Sequence, residues 1–475
     1  MCEVLTEVAI YILSFIQGGV SSSVIFLLAV GIIKNGERVF APVLLPVHDR
    51  VSSLFEAYDC VERYKDIYID RTISLAPADL DRFSNRPVHE CIKLLEMELG
   101  FTYDMFYTKS IVMHSILGWV LREINVIMIV VVYVLFVEVE KHKLSEIDGH
   151  VTNALLIKAG VLEFLSFVLS LMSSHTLVKT RNLEGSFWRG LENKIVSCHN
   201  LAERIFPPSI KVGQFNLLSY CSRDCKSWNW LRGFLENIEL KDFVDNYRYV
   251  YHVLLDERCQ ELIFELVRSR SNNTQQGQNI SAEDFLPLLP ELRESLTRSF
   301  EESLLIYHIA TELCHHERED IDNPEDLVIA KLLSDYMLNL MVVHPSLLSP
   351  LLTAELRSYS ETCSAAITFS SGFPNDSLQR HYGRLRDQRA DVVEVEAINN
   401  YTSSMLLQGI LVARELLDLD LGPVENKWTL LLKLWVEMLC FAASESKDKS
   451  HARQLAKGRE LLTIVWLYMI HLGMT

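Results

Sequence analysis

The sequence predicts a mainly α-helical protein, with membrane-embedded helices followed by a soluble, all-helical C-terminal region. Long apolar blocks occur in the first 180 residues, whereas the second half mixes apolar and charged residues at helical spacing. Hydrophobic residues make up 49% of the chain and charged residues 23%. That combination is typical of apolar spans joined to soluble domains.

The first apolar block runs from Val8 to Ile33 and contains no charged residue. One spanning helix needs about 20 apolar residues, so this block is long enough. Gly18-Gly19 and the serines after it interrupt the block, and two shorter helices are the alternative. Because no basic segment precedes the block, we do not expect a cleaved signal peptide.

Two further apolar blocks are expected to form a membrane hairpin, at Ile116 to Val137 and at Ala159 to Val178. The third block carries one acid, Glu163. An unpaired charge in hydrocarbon costs several kcal/mol, so Glu163 is a candidate functional residue. The alternative is a structural acid near a helix end, protonated or facing neighbouring helices.

The remaining organisation follows from polar and turn-rich stretches. Residues 41–110 are mixed and polar and are interpreted as a soluble insertion, with helical periodicity starting at Val88. We therefore divide the chain into a membrane domain at 1–180, a helical middle region at 181–290 and a helical C-terminal domain at 291–475.

The second half shows helical spacing from Phe243 to Val267 and from Leu304 to Leu313. A helix pair is expected at the end of the chain, from Trp428 to Ser444 and from His451 to Leu472. The predicted linkers are Ser269 to Ser281 and Ser370 to Asp391.

The net charge of −17 argues against a general nucleic-acid binder, which usually has a basic face. Ten scattered cysteines indicate reduced thiols rather than a disulfide framework, and this favours cytosolic soluble parts. Lys34, Arg38 and Lys179 follow the spans and favour the same orientation. Cys221 and Cys225 have no second pair at zinc-binding spacing, so a simple thiol pair is the main interpretation.

The most suggestive chemical group occupies one side of a predicted helix and consists of His308, Glu312 and His315. Cys314 and His316 lie beside it. These residues are candidate metal ligands, and candidate catalytic residues of a metal-dependent hydrolase. The opposite side is apolar, so a polar face on the surface or between helices is the alternative. That apolar side comprises Ile306, Ile309 and Leu313.

An acidic run extends from Glu317 to Asp326 and is interpreted as a solvated loop that opens a helix near Pro324. A site for a basic partner or a weakly bound cation is the alternative. The run lacks the glycine and terminal glutamate of a calcium-binding EF-hand loop.

Reactive signatures are missing from the sequence. It contains no phosphate-binding loop, no dinucleotide fingerprint, no nucleophile elbow, no kinase motifs and no zinc protease helix. The nearest match begins at His89-Glu90 but has Lys93 where the second metal-binding histidine would stand. We therefore expect no cofactor and lean away from an enzyme.

Several longer strings carry a family resemblance. They are GIIKNGERVFA at 31–41, EMELGFTYDMFYTK at 96–109, QFNLLSYC at 214–221, EESLLIYHIATELC at 301–314, LSDYMLNLMVVHP at 333–345, WVEMLCFAA at 435–443 and HARQLAKGRELLTIVWLYMIHLG at 451–473. With these strings the chain resembles plant membrane proteins that pair an N-terminal DUF4220-type domain with a C-terminal DUF594-type domain.

The resemblance implies a membrane-embedded N-terminal domain and a helical C-terminal domain, without an established activity or catalytic residues. Family members usually have more membrane helices upstream, so the chain resembles a version that lacks its N-terminal portion. Where the family's last motif commonly reads Gly-Gly-Glu-Leu-Leu, this chain has Arg459 before Glu460.

The function expected from the sequence is that of a non-enzymatic, membrane-anchored interaction protein. Its partners would be the lipid bilayer and a protein bound through an apolar groove or the acidic run. A membrane-bound hydrolase that uses His308, Glu312 and His315 is the alternative, and a transporter component is the second alternative.

Overall fold

The chain is mainly α-helical in a computed structural model. The structure describes residues 51–69, 83–107, 146–171, 173–180, 193–197, 210–224, 249–275, 299–316, 324–352, 356–371, 405–418, 426–455 and 460–474, with isolated positions at 115–134, 190 and 383. Among these residues, no helix combines the length and apolar character needed to cross a bilayer. The block from Val8 to Ile33 lies outside the described residues.

The elements of the first half are mostly helices. They are α1 at Val51–Tyr64, α2 at Val88–Tyr107, α3 at Glu146–Leu171, α4 at Ser174–Thr180, β1 at Lys211–Gln214 and α5 at Leu217–Asp224.

The second half continues the pattern. Its elements are β2 at Tyr251–Leu254, α6 at Glu257–Gln275, α7 at Phe300–His316, α8 at Pro324–Val343, α9 at Arg357–Ser371, α10 at Met405–Asp418, α11 at Lys427–Glu445, α12 at Asp448–Leu455 and α13 at Leu461–His471.

The helices belong to two compact units that are interleaved along the chain. The first unit comprises Met1–Arg63 and Glu96–Pro208, and the second comprises Tyr64–Leu95 and Ser209–Thr475.

The first unit has an aromatic core around a buried histidine. The ring of Phe101 on α2 meets His175 on α4 edge-on, with 5.0 Å between ring centroids, and Tyr58 on α1 packs against Phe101 at 5.4 Å. His175 Nε2 lies 3.3 Å from Asp104 Oδ2, and both side chains are buried. Helices α2 and α4, which are distant in sequence, are therefore linked by the contact between Asp104 and His175 inside an aromatic cluster.

The second unit is a helical bundle. Helix α7 packs against α8, α9 and α10, while α11 packs against α6, α8 and α13. Trp428, Trp435 and Trp466 are almost fully buried within it. The indole Nε1 of Trp435 on α11 donates a hydrogen bond to Thr311 Oγ1 on α7 at 3.0 Å. The N–H group of this buried indole therefore has a hydrogen-bond acceptor.

A two-stranded antiparallel sheet lies on the surface of this bundle. Lys211 pairs with Leu254 and Gln214 with Tyr251, and β1 packs against α8. The prediction of one helix from Phe243 to Val267 was wrong, because Tyr251–Leu254 is a strand and the helix starts only at Glu257. Periodicity alone did not separate the two elements, since aromatic and β-branched residues suit both a strand and a buried helix face.

Several other predicted boundaries are confirmed. Helix α2 starts at Val88, α8 starts at Pro324, α7 contains Leu304 to Leu313, and α11 contains the stretch that begins at Trp428. Pro324 suits the first helical position because proline lacks the N–H that a helix start leaves unpaired. Asn426 caps α11 by accepting a hydrogen bond from the Trp428 N–H at 2.9 Å.

Other boundaries are different from those predicted. Helix α6 continues to Gln275 through the first half of the predicted linker. The third apolar block is divided between α3, which ends at Leu171, and α4, which starts at Ser174. The stretch from His451 to Leu472 is also divided between two helices, α12 and α13. The predicted linker from Ser370 to Asp391 lies mostly outside the described residues.

Helices α7 and α10 of the second unit approach each other closely at Gly409 on α10. A Cβ atom at this position would lie 2.6 Å from Ile309 Cβ and 3.0 Å from the Ile306 carbonyl oxygen on α7. Neither atom belongs to the end of a flexible side chain. The two helices therefore depend on a residue without a side chain at this crossing.

We predict that Gly409→Ala lowers the free energy of unfolding by about 1–3 kcal/mol, because the helices must separate to admit one methyl group. The matched control is Gly160→Ala in α3, where an added Cβ meets nothing within 4 Å. That control should be neutral or slightly stabilising, since alanine favours a helix. Denaturant unfolding of the full chain measures both changes, and equal effects would contradict the role of Gly409.

Candidate functional site

The predicted metal or catalytic group lies inside the helical bundle. Helix α7 is buried from Ser303 to Cys314, so the polar side that carries His308 and Glu312 packs against other helices. The alternative to a metal site was a polar helix face, either on the surface or between helices. The structure shows a polar face between helices, so the surface location was wrong. Spacing along one helix predicts which residues share a side, but not whether a second helix covers that side.

His308 is fully buried and uses both ring nitrogens. Its Nε2 accepts a hydrogen bond from the Leu217 backbone N–H at 3.3 Å, and Nδ1 lies 2.9 Å from Ser334 Oγ. Because a backbone N–H is always a donor, Nε2 must be unprotonated and the ring proton resides on Nδ1. The neutral ring therefore links the start of α5 to α8.

A buried ammonium group lies beside this histidine. Lys331 Nζ on α8 pairs with Glu312 Oε2 on α7 at 3.0 Å, and it also contacts Asp335 Oδ2 one turn along its own helix. Glu312 Oε1 is 3.2 Å from His316 Nε2. Two carboxylates thus share one lysine in the interior, where a charge without a partner is very unfavourable.

The segment from Gln214 to Leu217 is held by the same helices. The Phe215 N–H donates to the Asp335 backbone oxygen at 3.2 Å, and Asn216 Nδ2 donates to Asp335 Oδ1 at 3.4 Å. Gln214 Nε2 donates to the Leu332 carbonyl oxygen at 3.2 Å. We call this set the polar junction; it consists of residues 214–217 with His308, Glu312, Lys331, Ser334 and Asp335.

Gly213 on β1 lies close to the Asn339 side chain of α8. A Cβ at Gly213 would lie 2.4 Å from Asn339 Nδ2, so β1 packs directly on the α8 side chain. Asn216 also caps α5, because its Oδ1 accepts a hydrogen bond from the Ser219 N–H at 2.7 Å. The turn between β1 and α5 is therefore fixed from both ends.

Burial and charge set the protonation states of the junction. Burial, followed by the nearby Lys331 charge, lowers the pKa of His308 to about 3, so the ring is neutral at neutral pH. Burial raises the pKa of Asp335 to about 6, although Lys331 acts in the opposite direction. Burial would also raise the pKa of Glu312, but Lys331 and His316 outweigh it and hold that pKa below its ordinary value.

A second buried polar contact joins α8 to the end of the chain. The Tyr336 hydroxyl donates to Glu460 Oε2 at 2.9 Å and accepts from the Leu462 N–H at the same distance. Burial raises the pKa of Glu460. Glu460, which directly follows the position where this chain differs from the family's last motif, is thus tied to α8.

The junction is arranged to hold helices together. Ser334 and Asp335 both approach Nδ1 of His308, while Nε2 faces a backbone N–H, which is not the arrangement of a nucleophilic triad. In the described part of the chain, no group of three or more His, Cys, Asp or Glu side chains is placed to hold a metal ion. The metal and catalytic roles of His308, Glu312 and His315 stay predictions.

The other candidate residues are distributed over the molecule. Glu163 is half-buried on α3. From the acidic run, Asp326 accepts a hydrogen bond from Thr429 Oγ1 at 2.5 Å, and Glu325 pairs with Arg258 at 3.6 Å. Residues 317–323 and Cys225 lie outside the described residues.

Sequence reasoning missed Lys331, Ser334, Asp335 and Asn216. The available signal was the Lys331 and Asp335 spacing of four residues, which places both charges on one helix side. The strings QFNLLSYC, EESLLIYHIATELC and LSDYMLNLMVVHP each contribute residues to the junction.

Comparison with known families identifies two domains. Residues 45–221 match a domain of unknown function, DUF4220, and residues 422–474 match a protein family of unknown function, DUF594. This confirms the resemblance seen in the sequence. No curated protein and no solved structure matches the chain. The first match ends at Cys221, so the junction joins the end of that domain to helices located between the two matches.

We predict that Lys331→Met lowers the free energy of unfolding by about 3–5 kcal/mol, because it leaves Glu312 and Asp335 buried without their cation. Arg357→Met is the matched control, since Arg357 and Glu361 have the same spacing of four residues with side chains 79% and 65% exposed. That control should cost less than about 1 kcal/mol.

Denaturant unfolding of the full chain provides the comparison for these two variants. Adding Glu312→Gln and Asp335→Asn to Lys331→Met should recover part of the lost stability, because the acids then carry no charge. If Lys331→Met and Arg357→Met lowered the free energy of unfolding equally, the Lys331 ion pairs would not be what stabilises the polar junction.

We predict that His308 lowers the free energy of unfolding as the pH drops from about 6.5 towards 3, while Asp335, whose pKa is raised to about 6, acts in the opposite direction below about pH 6. The folded-state pKa of His308 is about 3, so the unfolded chain binds a proton in this window that the folded chain does not bind. One such histidine contributes a slope of up to about 1.4 kcal/mol per pH unit. His451, whose pKa burial also lowers to about 3, should contribute similarly.

The test is the pH dependence of unfolding in His308→Gln, which retains an acceptor for the Leu217 N–H but does not titrate. Its slope should decrease by about one bound proton. His308→Leu should show the same decrease together with lower stability at every pH, because two hydrogen bonds are lost. An unchanged slope in His308→Gln would show that His308 does not account for the acid sensitivity.

Proposed function

We propose that this chain, which carries a DUF4220 domain and a DUF594 domain, is a membrane-anchored interaction protein without catalytic activity. Its N-terminal helices associate with a bilayer, and its helical C-terminal half binds a protein partner. The observation that carries the proposal is the exposure of apolar helices in the first unit.

Helix α3 exposes apolar side chains in several directions. None of its described side chains is buried, and the most exposed large ones are Leu155 at 48%, Ile157 at 51%, Val161 at 44% and Phe164 at 69%. Leu155 and Ile157 project about 200° apart around the helix. Burying one such side chain is favourable by about 1.5–3 kcal/mol. Contact of this helix with lipid or with a protein partner is therefore strongly favoured over contact with water.

The isolated described positions from Val120 to Val134 have the same property. Apart from Gly118, which is buried, each described position between Gly118 and Val134 is an exposed apolar residue. Their exposed fractions are Val120 50%, Ile124 51%, Ile127 58%, Val130 55%, Val131 44%, Tyr133 41% and Val134 44%.

A bilayer suits these helices better than a protein partner does. A protein interface covers one side of a helix, whereas acyl chains surround a helix on all sides. Apolar side chains are exposed on opposite sides of α3, so contact with lipid is favoured over contact with a protein partner. Val161 and Phe164 lie within the third apolar block predicted from the sequence, whereas Leu155 and Ile157 precede it.

The interaction role of the C-terminal half follows from the polar junction. The polar atoms of His308 and Lys331 bond to other parts of the protein, and His308 is fully buried, so we infer that they support the fold. Within the acidic run, Glu317, Glu319, Asp320 and Asp322 precede the residues that bond to the protein itself, and they are the carboxylates that would meet a basic partner.

We predict that a water-soluble maleimide labels Val328→Cys but not Phe164→Cys in intact membranes. The two side chains are 51% and 69% exposed in the protein alone. Acyl chains would cover Phe164 and exclude both water and the reagent, because maleimide reacts with a hydrated thiolate. Mass spectrometry of the two peptides measures labelling separately from the native cysteines.

Detergent is the control condition, because it should make Phe164→Cys reactive. Sodium carbonate should leave the wild-type chain in the membrane pellet, since burial of apolar surface does not depend on screened charge. Equal labelling in membranes, or release by carbonate, would mean that lipid does not cover α3.

The proposal places the C-terminal half on the cytosolic side, as the basic residues after the apolar blocks favour. We predict that removing N-glycans leaves the electrophoretic mobility unchanged, although Asn272, Asn279, Asn375 and Asn400 are acceptor sequons. A mobility shift that Asn272→Gln with Asn279→Gln abolishes would reverse the orientation.

A further inference from the structure

Two cysteines from distant parts of the sequence meet between α5 and α9. Cys221 Sγ donates to the carbonyl oxygen of Cys363 at 3.8 Å, and the two residues are 142 positions apart. Helices α5 and α9 pack together in the second unit. Neither cysteine is part of a disulfide bond, and the same holds for the other described cysteines.

A tyrosine connects the two thiols. Tyr359 is one turn before Cys363 on α9, and its hydroxyl hydrogen-bonds to the Cys363 side chain. Burial first, and then the neighbouring Cys363 and Cys221, raise the pKa of Tyr359. The hydroxyl therefore stays protonated and is a donor that stabilises negative charge on the Cys363 sulfur.

The two cysteines also differ in access to solvent. Cys221 is fully buried, whereas Cys363 is partly exposed. A small oxidant therefore reaches Cys363 before it reaches Cys221, whose sulfur lies 3.8 Å from the Cys363 carbonyl oxygen. Cys440 is a useful contrast because it is fully buried, and burial raises its pKa to about 12.

We propose that Cys221 and Cys363 form a peroxide-driven disulfide. The Cys363 thiolate attacks hydrogen peroxide, the O–O bond breaks, and Cys363 becomes a sulfenic acid while water leaves after protonation. The Cys221 sulfur then attacks the Cys363 sulfur, the S–O bond breaks, and a second water leaves. Two thiols lose two hydrogens in total, and one peroxide becomes two waters.

The bond connects the polar junction to a further helix. Cys221 lies on α5, whose first N–H is held by His308. A bond to Cys363 fixes α5 to α9 and closes a loop of 142 residues. Closing so long a loop restricts the unfolded chain, so the oxidised protein is the more stable form.

The test uses the full chain purified in detergent with a reductant, which is then removed. After treatment with hydrogen peroxide, free thiols are alkylated with iodoacetamide and the protein is digested without reduction. We expect one cross-linked pair of peptides containing Cys221 and Cys363, a loss of two hydrogens from the intact mass, and an increase in Tm that dithiothreitol reverses.

Variants assign the bond. Cys363→Ser and Cys221→Ser should each abolish the cross-link, whereas Cys440→Ser should retain it. The wild-type peptide map is decisive even if a variant fails to fold. Three results would overturn the proposal. They are alkylation of both Cys221 and Cys363 after peroxide treatment, overoxidation of Cys363 without a cross-link, and a disulfide between Cys221 and Cys225.

Discussion

The neutralisation of Lys331 is the constraint on which the second unit depends. An ammonium group inside a helical bundle is tolerated only where carboxylates surround it, and here Glu312 on α7 and Asp335 on α8 meet this requirement. The pairing fixes how α7 lies along α8. Asp335 also accepts from Phe215 and Asn216, so the same charge balance positions the β1–α5 turn.

Close packing makes this polar arrangement possible. At Gly409 the backbones of α7 and α10 approach each other without an intervening side chain, and Trp435 fills the space beside Thr311. Water is excluded from the helices around His308, and exclusion of water is what strengthens each hydrogen bond of the junction. Apolar packing and buried charge thus act on the same helices.

Much of the helical architecture could be predicted from the sequence, because Pro324 and the periodicity at Val88 are local signals. The strand at Tyr251–Leu254 could not, since its pairing with β1 is a contact between distant residues. His308 and Glu312 were recognised on one helix side. Their partner Lys331 was missed because nothing local shows that α8 covers that side, and the solvated alternative was wrong for the same reason.

The β1–α5 turn has a consequence for synthesis of the protein. Asn216 contacts Asp335, which follows it by 119 residues. At about 5–20 residues per second, the ribosome adds that length in roughly 6–24 seconds. Asp335 leaves the ribosome later than Asn216 by the same interval, and until then the side chains and carbonyl groups of α8 that bind residues 214–217 are not available. Residues 214–217, at the end of the DUF4220 match, therefore cannot reach their final conformation before α8 is available.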